Sequence, residues 1–424
     1  MKILSTLEGV NQGHNMDKTD PPLLARQPIL DSSLQVVGYE LLCRPMPQDT
    51  LAWQNEHGDR ATSEVLISAF NDIGIDLVTG GLPAFINFTS HWLHHPLIMP
   101  ANSIVAELLE YIPANEENLA ALRRLKKLHY KIALDDYEGD ESQAALFPLI
   151  DIVKVDIRRL PDLNNLPTLI NKYRQHNLQW LAEKVETQEE YRLCREAGCT
   201  LFQGYFFSHP ANVYGKRLPD NQLAVLQLLQ ILNDKDSQIE EVARILQTDP
   251  QLSYKLLQMV NSAAIGLARE ITSISRAIVI VGLDRLRAWA NLIALGRLQE
   301  KPAVLREQAV VRAFLCKALV FSWPNLDDET AFTLGLFSLL DAFLDRPLEE
   351  ICERLRLPDE LTAALTNHQG DYGFILATTE RMEKGQWEAI DWNVLQGLGV
   401  SPAQLEWHYL NALQTANALL QNAG

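Results

Sequence analysis

Seven short apolar runs in the first half of the chain each end in a polar residue able to bind a metal ion or move a proton. They are Glu40 after QVVGY, Asn87 after AFI, Glu107 after SIVA, the pair Asp135 and Asp136 after KIAL, Lys154 after IV, Glu183 after LA, and Gln203 after LF. Carboxylates and an amide oxygen suit hard divalent ions such as Mg²⁺ or Mn²⁺, and two such ions roughly 4 Å apart clamp the attacking and leaving oxygens of a phosphodiester. Glu40, Asn87, Glu107, Asp135 and Asp136 are the natural ligands here, and Glu183 is either a ligand or a general base. Lys154 adds a positive charge that can orient a water or stabilise phosphoryl oxygens. A single acidic residue at a strand end is more often a solvated loop group or a helix cap. The recurrence is what marks these seven.

Something must bring them together. Between Leu23 and Pro210, strand-like runs alternate with helical patterns, the signature of a parallel sheet built from βα units. Eight strands are expected near 23–30, 35–43, 82–87, 103–108, 130–135, 151–155, 179–183 and 199–203, with helices near 62–75, 115–128, 162–176 and 187–197. Eight strands with helical crossovers suggest a (β/α)8 barrel, in which catalytic groups gather where the strands' carboxyl ends face one mouth. Only Asp31, Ser32 and Ser33 separate the first two runs, too few for a crossover, so that pair is expected as an antiparallel hairpin and the barrel as a modified one.

Near residue 212 the pattern turns wholly helical, with Leu223, Leu226, Leu229 and Leu232 on one face and Ile239, Val242 and Leu246 on the next. Residues 1–22 then read as a flexible polar segment, 23–212 as the barrel and 213–424 as an all-α domain. Asp249 and Pro250 read as a helix start leading to Asn261, and further helices are expected near 328–345, 347–355, 358–368 and 402–421.

Composition limits the function. With 37 Lys and Arg against 54 Asp and Glu, the net charge of −17 disfavours extended nucleic acid, although bound cations would still admit a small phosphorylated ligand. Five cysteines with no CxxC argue against a disulfide framework and a zinc site, and no apolar run approaches the ~20 residues of a membrane span. A cytoplasmic protein without membrane insertion is expected. HWLHH at 91–95 reads as a polar helix start rather than a metal site, and Trp289 and Trp323 as packing residues.

RQPILDSSLQVVGYELLCR, FINFTS, AELLE, LDDY, IVKVD, AEKVET and FQGYFFSHP occur in that order. Together they resemble the EAL domain, which hydrolyses cyclic di-GMP to linear pGpG. The resemblance implies that Glu40, Asn87, Glu107 and Asp135 hold one Mg²⁺ or Mn²⁺ ion and Asp136 a second, that Lys154 positions the hydrolytic water, and that Glu183 assists it. It also implies that Arg44, Leu42 and Gln203 face the substrate, and that Glu110, Asp156 and Glu186 stand behind the ligands, Glu110 and Glu186 bracing the loop after Asp136. A homodimer through the barrel, a protein partner for the helical half, and motility or biofilm control are further implications. The chain departs from the family after the aspartate pair, where YEGDESQ replaces a phenylalanine and a Gly-Thr-Gly turn, and at Lys184, where glycine is usual.

TDPQLSYKLLQMVNSA at 248–263 and ITSISRAIVIVGLDRLRAW at 271–289 resemble the HDOD domain, a helical relative of the HD phosphohydrolases. Ser338 and Leu339 stand where that superfamily has its His-Asp dyad, and the nearest histidine is His368. A regulatory or binding module is therefore expected. Two readings stand: a metal-dependent cyclic di-GMP phosphodiesterase under helical control, or a catalytically inactive receptor that binds cyclic di-GMP or a protein partner.

Overall fold

In the computed structural model, the described residues are 23–44, 75–95, 100–208, 220–233, 273–295, 301–355 and 357–423, with single positions between 242 and 260. The expected helices at 62–75 and 250–261 lie outside them, apart from Ile75 and a few single positions.

Eight strands close into a barrel in sequence order: β1 Leu23–Asp31, β2 Val36–Arg44, β3 Ala84–Phe88, β4 Ile104–Leu108, β5 Lys131–Leu134, β6 Ile152–Asp156, β7 Gln179–Glu183 and β8 Leu201–Gln203. β1 is antiparallel to both of its neighbours, and every other pairing is parallel. The hairpin turn forms because the Asp31 carboxylate accepts the amides of Ser33 at 2.8 Å and Gln35 at 2.9 Å, which holds the reversal after Asp31.

The pleat explains how the barrel presents polar groups without losing its core. Ile29, Phe85, Val105, Ala133, Ile152, Leu181 and Leu201 pack together as an apolar cluster inside it. On six strands the site residue follows its floor residue by two positions: Phe85 then Asn87, Val105 then Glu107, Ala133 then Asp135, Ile152 then Lys154, Leu181 then Glu183, Leu201 then Gln203. Side chains two apart share a face of a strand. The floor therefore excludes water from below while the next residue faces the mouth.

The crossover helices follow local signals. Glu116–Lys127 is capped by Asn115 and ends on basic residues, and Gln188–Ala197 has a capping box of Thr187 and Glu190 and stops at Gly198 with φ 114°. The helix expected over 162–176 is instead Leu166–Lys172 flanked by two 3₁₀ turns, since Pro167 can sit only in a first turn and Asn177 turns left-handed at φ 50°.

The rest is helical, with Leu226, Leu229 and Leu232 of Asp220–Asn233 buried as their spacing required. The expected helix 328–345 divides into Asp328–Phe337 and Leu340–Leu344, because the Ser338 hydroxyl bonds back to the Gly335 carbonyl at 2.7 Å and interrupts the ladder. Gly370–Glu383 and Pro402–Ala423 each pack against Ala303–Leu319 and against β1 of the barrel. The described cysteines, Cys194, Cys199, Cys316 and Cys352, are buried free thiols. No helix among the described residues is long and apolar enough to cross a membrane.

Glu406 of Pro402–Ala423 is buried against β1 and accepts the Leu24 amide at 3.2 Å. Burial pushes its carboxyl up from 4.5 to about 7. The folded state therefore holds a proton that the unfolded chain releases. That stabilisation is full below pH 4.5 and is lost as the pH rises through about 7. Glu406→Gln should leave stability at pH 4.5 nearly unchanged and raise it on the order of 2 kcal/mol at pH 8, as read by urea unfolding at both values.

Candidate active site

Lys154 occupies the centre of the barrel mouth, its side chain 1% exposed. Its ammonium lies 2.7 Å from Glu107, 2.9 Å from Asp135, 3.0 Å from Glu183 and 3.2 Å from Glu40. β2, β4, β5, β6 and β7 thus meet at one nitrogen. Asp136 stands beside this ring, with one of its carboxylate oxygens, one of Asp135 and one of Glu183 mutually within 4.8 Å. Asn87 lies directly across from Glu107 in the β3–β4 register.

Four carboxyl groups share the single positive charge of Lys154, and Asp136 beside them is met by Arg159 at 3.1 Å. Burial alone would lower the Lys154 pKa, but the surrounding carboxylates outweigh it and hold the ammonium well above its ordinary value. The carboxyls respond in the opposite sense. Burial raises Glu107 well above the usual range against the pull of Lys154, and pushes Glu183 up to about 8. Asp136 is also raised, by burial and by Asp135, against Arg159 and Lys184. The buried Oε2 of Glu107 meets no hydrogen-bond donor among the described residues. A crowded cage of carboxyl oxygens whose ionisation is opposed in the absence of metal suits hard divalent cations, which would favour the ionised form. The residues present therefore fit the implied metal ions.

Gln203 supports the ring from β8. Its amide donates to Glu40 at 2.7 Å and to the Gln27 side-chain oxygen at 2.9 Å, and Gln27 donates in turn to the Tyr205 hydroxyl at 3.3 Å. Gln27 carried no signal at the strand-end level, because it precedes its apolar run on the reversed strand β1.

The loop after Asp136 is a built turn. Tyr137 is buried, its amide donates to the Lys154 carbonyl at 2.9 Å, and its hydroxyl bonds the Tyr173 hydroxyl at 2.8 Å. Gly139 takes φ 96°, and Asp140 caps the 3₁₀ turn Glu141–Leu146. Arg159 pairs with Asp136 at 3.1 Å and with Glu138 at 3.2 Å. Asp136 at φ 44° and Lys184 at φ 56° are both left-handed, a conformation costing a non-glycine residue roughly 1 kcal/mol. Glycine is the expected residue at 184 for that reason, and Lys184 offsets the cost with a 2.5 Å ion pair to the buried Asp156.

The other expected residues are placed less centrally. Asp156 accepts the Arg158 amide at 2.8 Å and so shapes the loop after β6. Glu110 is exposed, and its backbone carbonyl, bonded by Gln143 at 2.8 Å, is what ties the loop after β4 to the 3₁₀ turn. Glu186 sits on the rim in a 3.1 Å pair with the half-exposed Arg158. Leu42 reaches toward the helical half, 3.0 Å from where a Cβ on Gly385 would stand. Arg44 ends β2, and its side chain lies outside the described residues. His94 bonds Asn118 at 2.9 Å, in keeping with a polar helix start for HWLHH.

In the helical half, Ser338 and Leu339 lie beside an arginine. The buried Arg312 guanidinium bonds Glu383 at 2.7 Å, Glu380 at 3.1 Å and the Ser338 hydroxyl at 3.1 Å. Burial works against ionisation of Glu380, yet Arg312 and His368 bring it down to about 2. A fixed cation thus occupies this polar cluster, and among the described residues the acidic groups able to share a metal converge at the barrel mouth.

Lys154→Met would leave the ring without its counter-charge. In cation-free buffer it should cost about 3–5 kcal/mol in denaturant unfolding, the penalty for stripping one partner from a buried ion cluster. Gly204, at φ 144°, gives a second test. A Cβ there would lie 2.1 Å from the Val185 carbonyl oxygen, so Gly204→Ala should lower stability by about 3 kcal/mol in the same assay.

Known proteins are similar to this chain along both of its halves. The EAL domain model matches residues 23–210 and the HDOD domain model residues 218–344. The chain is 33% identical over 376 residues to the uncharacterized protein YuxH of Bacillus subtilis, covering 86% of this chain and 91% of that protein. It is 31% identical over 378 residues to the cyclic di-GMP phosphodiesterase CdgJ of Vibrio cholerae, covering 88% and 87%. An EAL domain protein of Listeria monocytogenes aligns at a TM-score of 0.36 and 25% identity, over 45% of this chain and 93% of that one. With both domain models matched in order and two full-length relatives above 30% identity, the chain belongs to the family of proteins that join an EAL domain to a C-terminal HDOD domain.

Proposed function

We propose that this protein is a divalent-metal-dependent phosphodiesterase that hydrolyses cyclic di-GMP to linear pGpG. The observation that carries the reading is the convergence of Glu40, Glu107, Asp135 and Glu183 on Lys154, with Asp136 beside Asp135 and Glu183. The similarity to CdgJ, a cyclic di-GMP phosphodiesterase, supports it.

Glu40, Asn87, Glu107 and Asp135 would hold one Mg²⁺ or Mn²⁺ ion, and Asp136 with its neighbours a second. Bound cations supply an activated water and neutralise charge on the phosphodiester. Lys154, fixed by four carboxylates, orients the water and faces the phosphoryl oxygens. Glu183, 3.0 Å from the Lys154 ammonium, takes the proton from that water. Arg44, Leu42 and Gln203 contact the substrate, and the water oxygen bonds to phosphorus as one ester P–O bond of the ring breaks and the freed sugar oxygen takes up a proton. The same reading places the protein in the cytoplasm, where such a nucleotide is made and consumed.

A second reading rests on one observation. Arg159 already pairs with Asp136 at 3.1 Å, so a cation at that carboxylate has a competitor. If the competitor wins, the barrel binds cyclic di-GMP without cleaving it and acts as a receptor.

Purified protein with cyclic di-GMP and Mg²⁺ or Mn²⁺ should yield pGpG by ion-exchange chromatography. Glu107→Gln should reduce turnover by at least 100-fold, roughly the 3 kcal/mol by which such an electrostatic ligand stabilises the transition state. Excess chelator should abolish turnover, and Mn²⁺ should restore it. Ligand binding by calorimetry with no pGpG in either metal would establish the receptor instead.

A further inference from the structure

The helical half grips the back of the strand pair that carries Glu40. In β1 and β2, Gln27 and Glu40 are register partners facing the site, and the adjacent Arg26 and Tyr39 face outward onto the helix Ala303–Leu319. Glu307 of that helix meets both. Its carboxylate pairs with the Arg26 guanidinium and accepts the Tyr39 hydroxyl at 3.1 Å. Arg26 lies over the Tyr39 ring, 4.2 Å from its centre, and also bonds the Val78 carbonyl. The Arg26 side chain is 5% exposed and that of Glu307 19%, so water screens the pair poorly.

These contacts have consequences on the other face. Arg26 is the residue before Gln27, and Tyr39 the residue before Glu40. Successive side chains leave one backbone on opposite faces, so a shift of the strand segments that carry Arg26 and Tyr39 also shifts Gln27 and Glu40. Gln27 and Glu40 share the Gln203 amide, and Glu40 reaches Lys154 at 3.2 Å. A second link runs beside the first: the Tyr205 hydroxyl, bonded by Gln27, donates to the Glu383 carbonyl at the end of Gly370–Glu383 at 3.4 Å. Ser208 also donates to Gln308, one residue on from Glu307, at 2.7 Å. Both strands flanking Gln27, β2 and β8, are thus tied to the helical half close to the metal-binding oxygens.

We propose that Glu307 is a positioning residue for Glu40: by fixing Arg26 and Tyr39 on the outer face of the β1–β2 hairpin, the helical half sets the place of the Glu40 carboxylate in the metal-binding ring. This inference rests on the metal-dependent reading of the ring. It gives the helical half a defined means of tuning the barrel, since any partner or ligand that shifts the helix Ala303–Leu319 moves Glu307.

The test uses the full chain and Mn²⁺ binding measured by electron paramagnetic resonance titration without substrate, with turnover of cyclic di-GMP as the second readout. Glu307→Gln keeps the shape and removes the charge. It should weaken Mn²⁺ binding at least 10-fold and lower kcat, with little change in KM. Tyr39→Phe, which loses only the hydroxyl, should weaken binding in the same direction by a smaller factor. Asp345→Asn breaks the 2.6 Å Lys301–Asp345 pair inside the helical half, at a left-handed position that asparagine tolerates, and should leave Mn²⁺ affinity unchanged. Wild-type affinity in Glu307→Gln overturns the inference, as does an equal loss in Asp345→Asn, which would mark a general loss of stability. Failure of the enzymatic reading would appear in the wild-type protein itself, as absent Mn²⁺ binding, and would remove this inference with it.

Discussion

The mouth of the barrel is organised around a single buried ammonium. Lys154 draws four carboxylates from four other strands to within 3.2 Å of one nitrogen, and without it those charges would repel in a medium that screens poorly. The arrangement is expensive to desolvate, and a buried ion cluster of this kind specifies geometry more than it adds stability. What it specifies is a set of oxygens already converged before any ligand arrives. One ammonium is shared by four carboxyl groups, so the same cluster offers its oxygens to further cations.

The helical half solves a similar problem with a different group. Arg312 is buried among Glu380, Glu383 and Ser338, so the polar interior near the expected dyad position is satisfied by a planar guanidinium with fixed donors. Glu383 also accepts from Gln308 at 3.2 Å, and the neighbouring Glu307 and Ser208 contacts carry this polar seam to the barrel. The interface between the halves therefore has directional bonds as well as apolar packing. Such an interface fixes one relative placement and resists sliding, which packing alone would allow.

Much of the site was legible because parallel strands announce themselves. An apolar run terminated by a polar residue is what a buried strand leading to a mouth looks like, and Glu40, Glu107, Asp135, Lys154 and Glu183 all followed that form. The three-residue separation at Asp31–Ser33 likewise disclosed the hairpin. Gln27 was missed by the same rule. On an antiparallel strand the residue at the mouth precedes its apolar run, as in RQPIL, and the pattern must be read backwards. Arg26 and Glu307 are 281 positions apart, and no local periodicity encodes such a pairing. The break at Ser338 and the 3₁₀ turns around Leu166–Lys172 depended on side-chain bonding and on proline placement within patterns that otherwise read as continuous helix.

The reversal of β1 has a consequence for how the chain is threaded. Leu23 pairs with Arg44, so β1 starts at the mouth, and β8 ends there with Gln203. Entry to and exit from the barrel are therefore on one rim. The first and last residues of the strand order, Leu23 and Gln203, are thus neighbours of the barrel's open end in space.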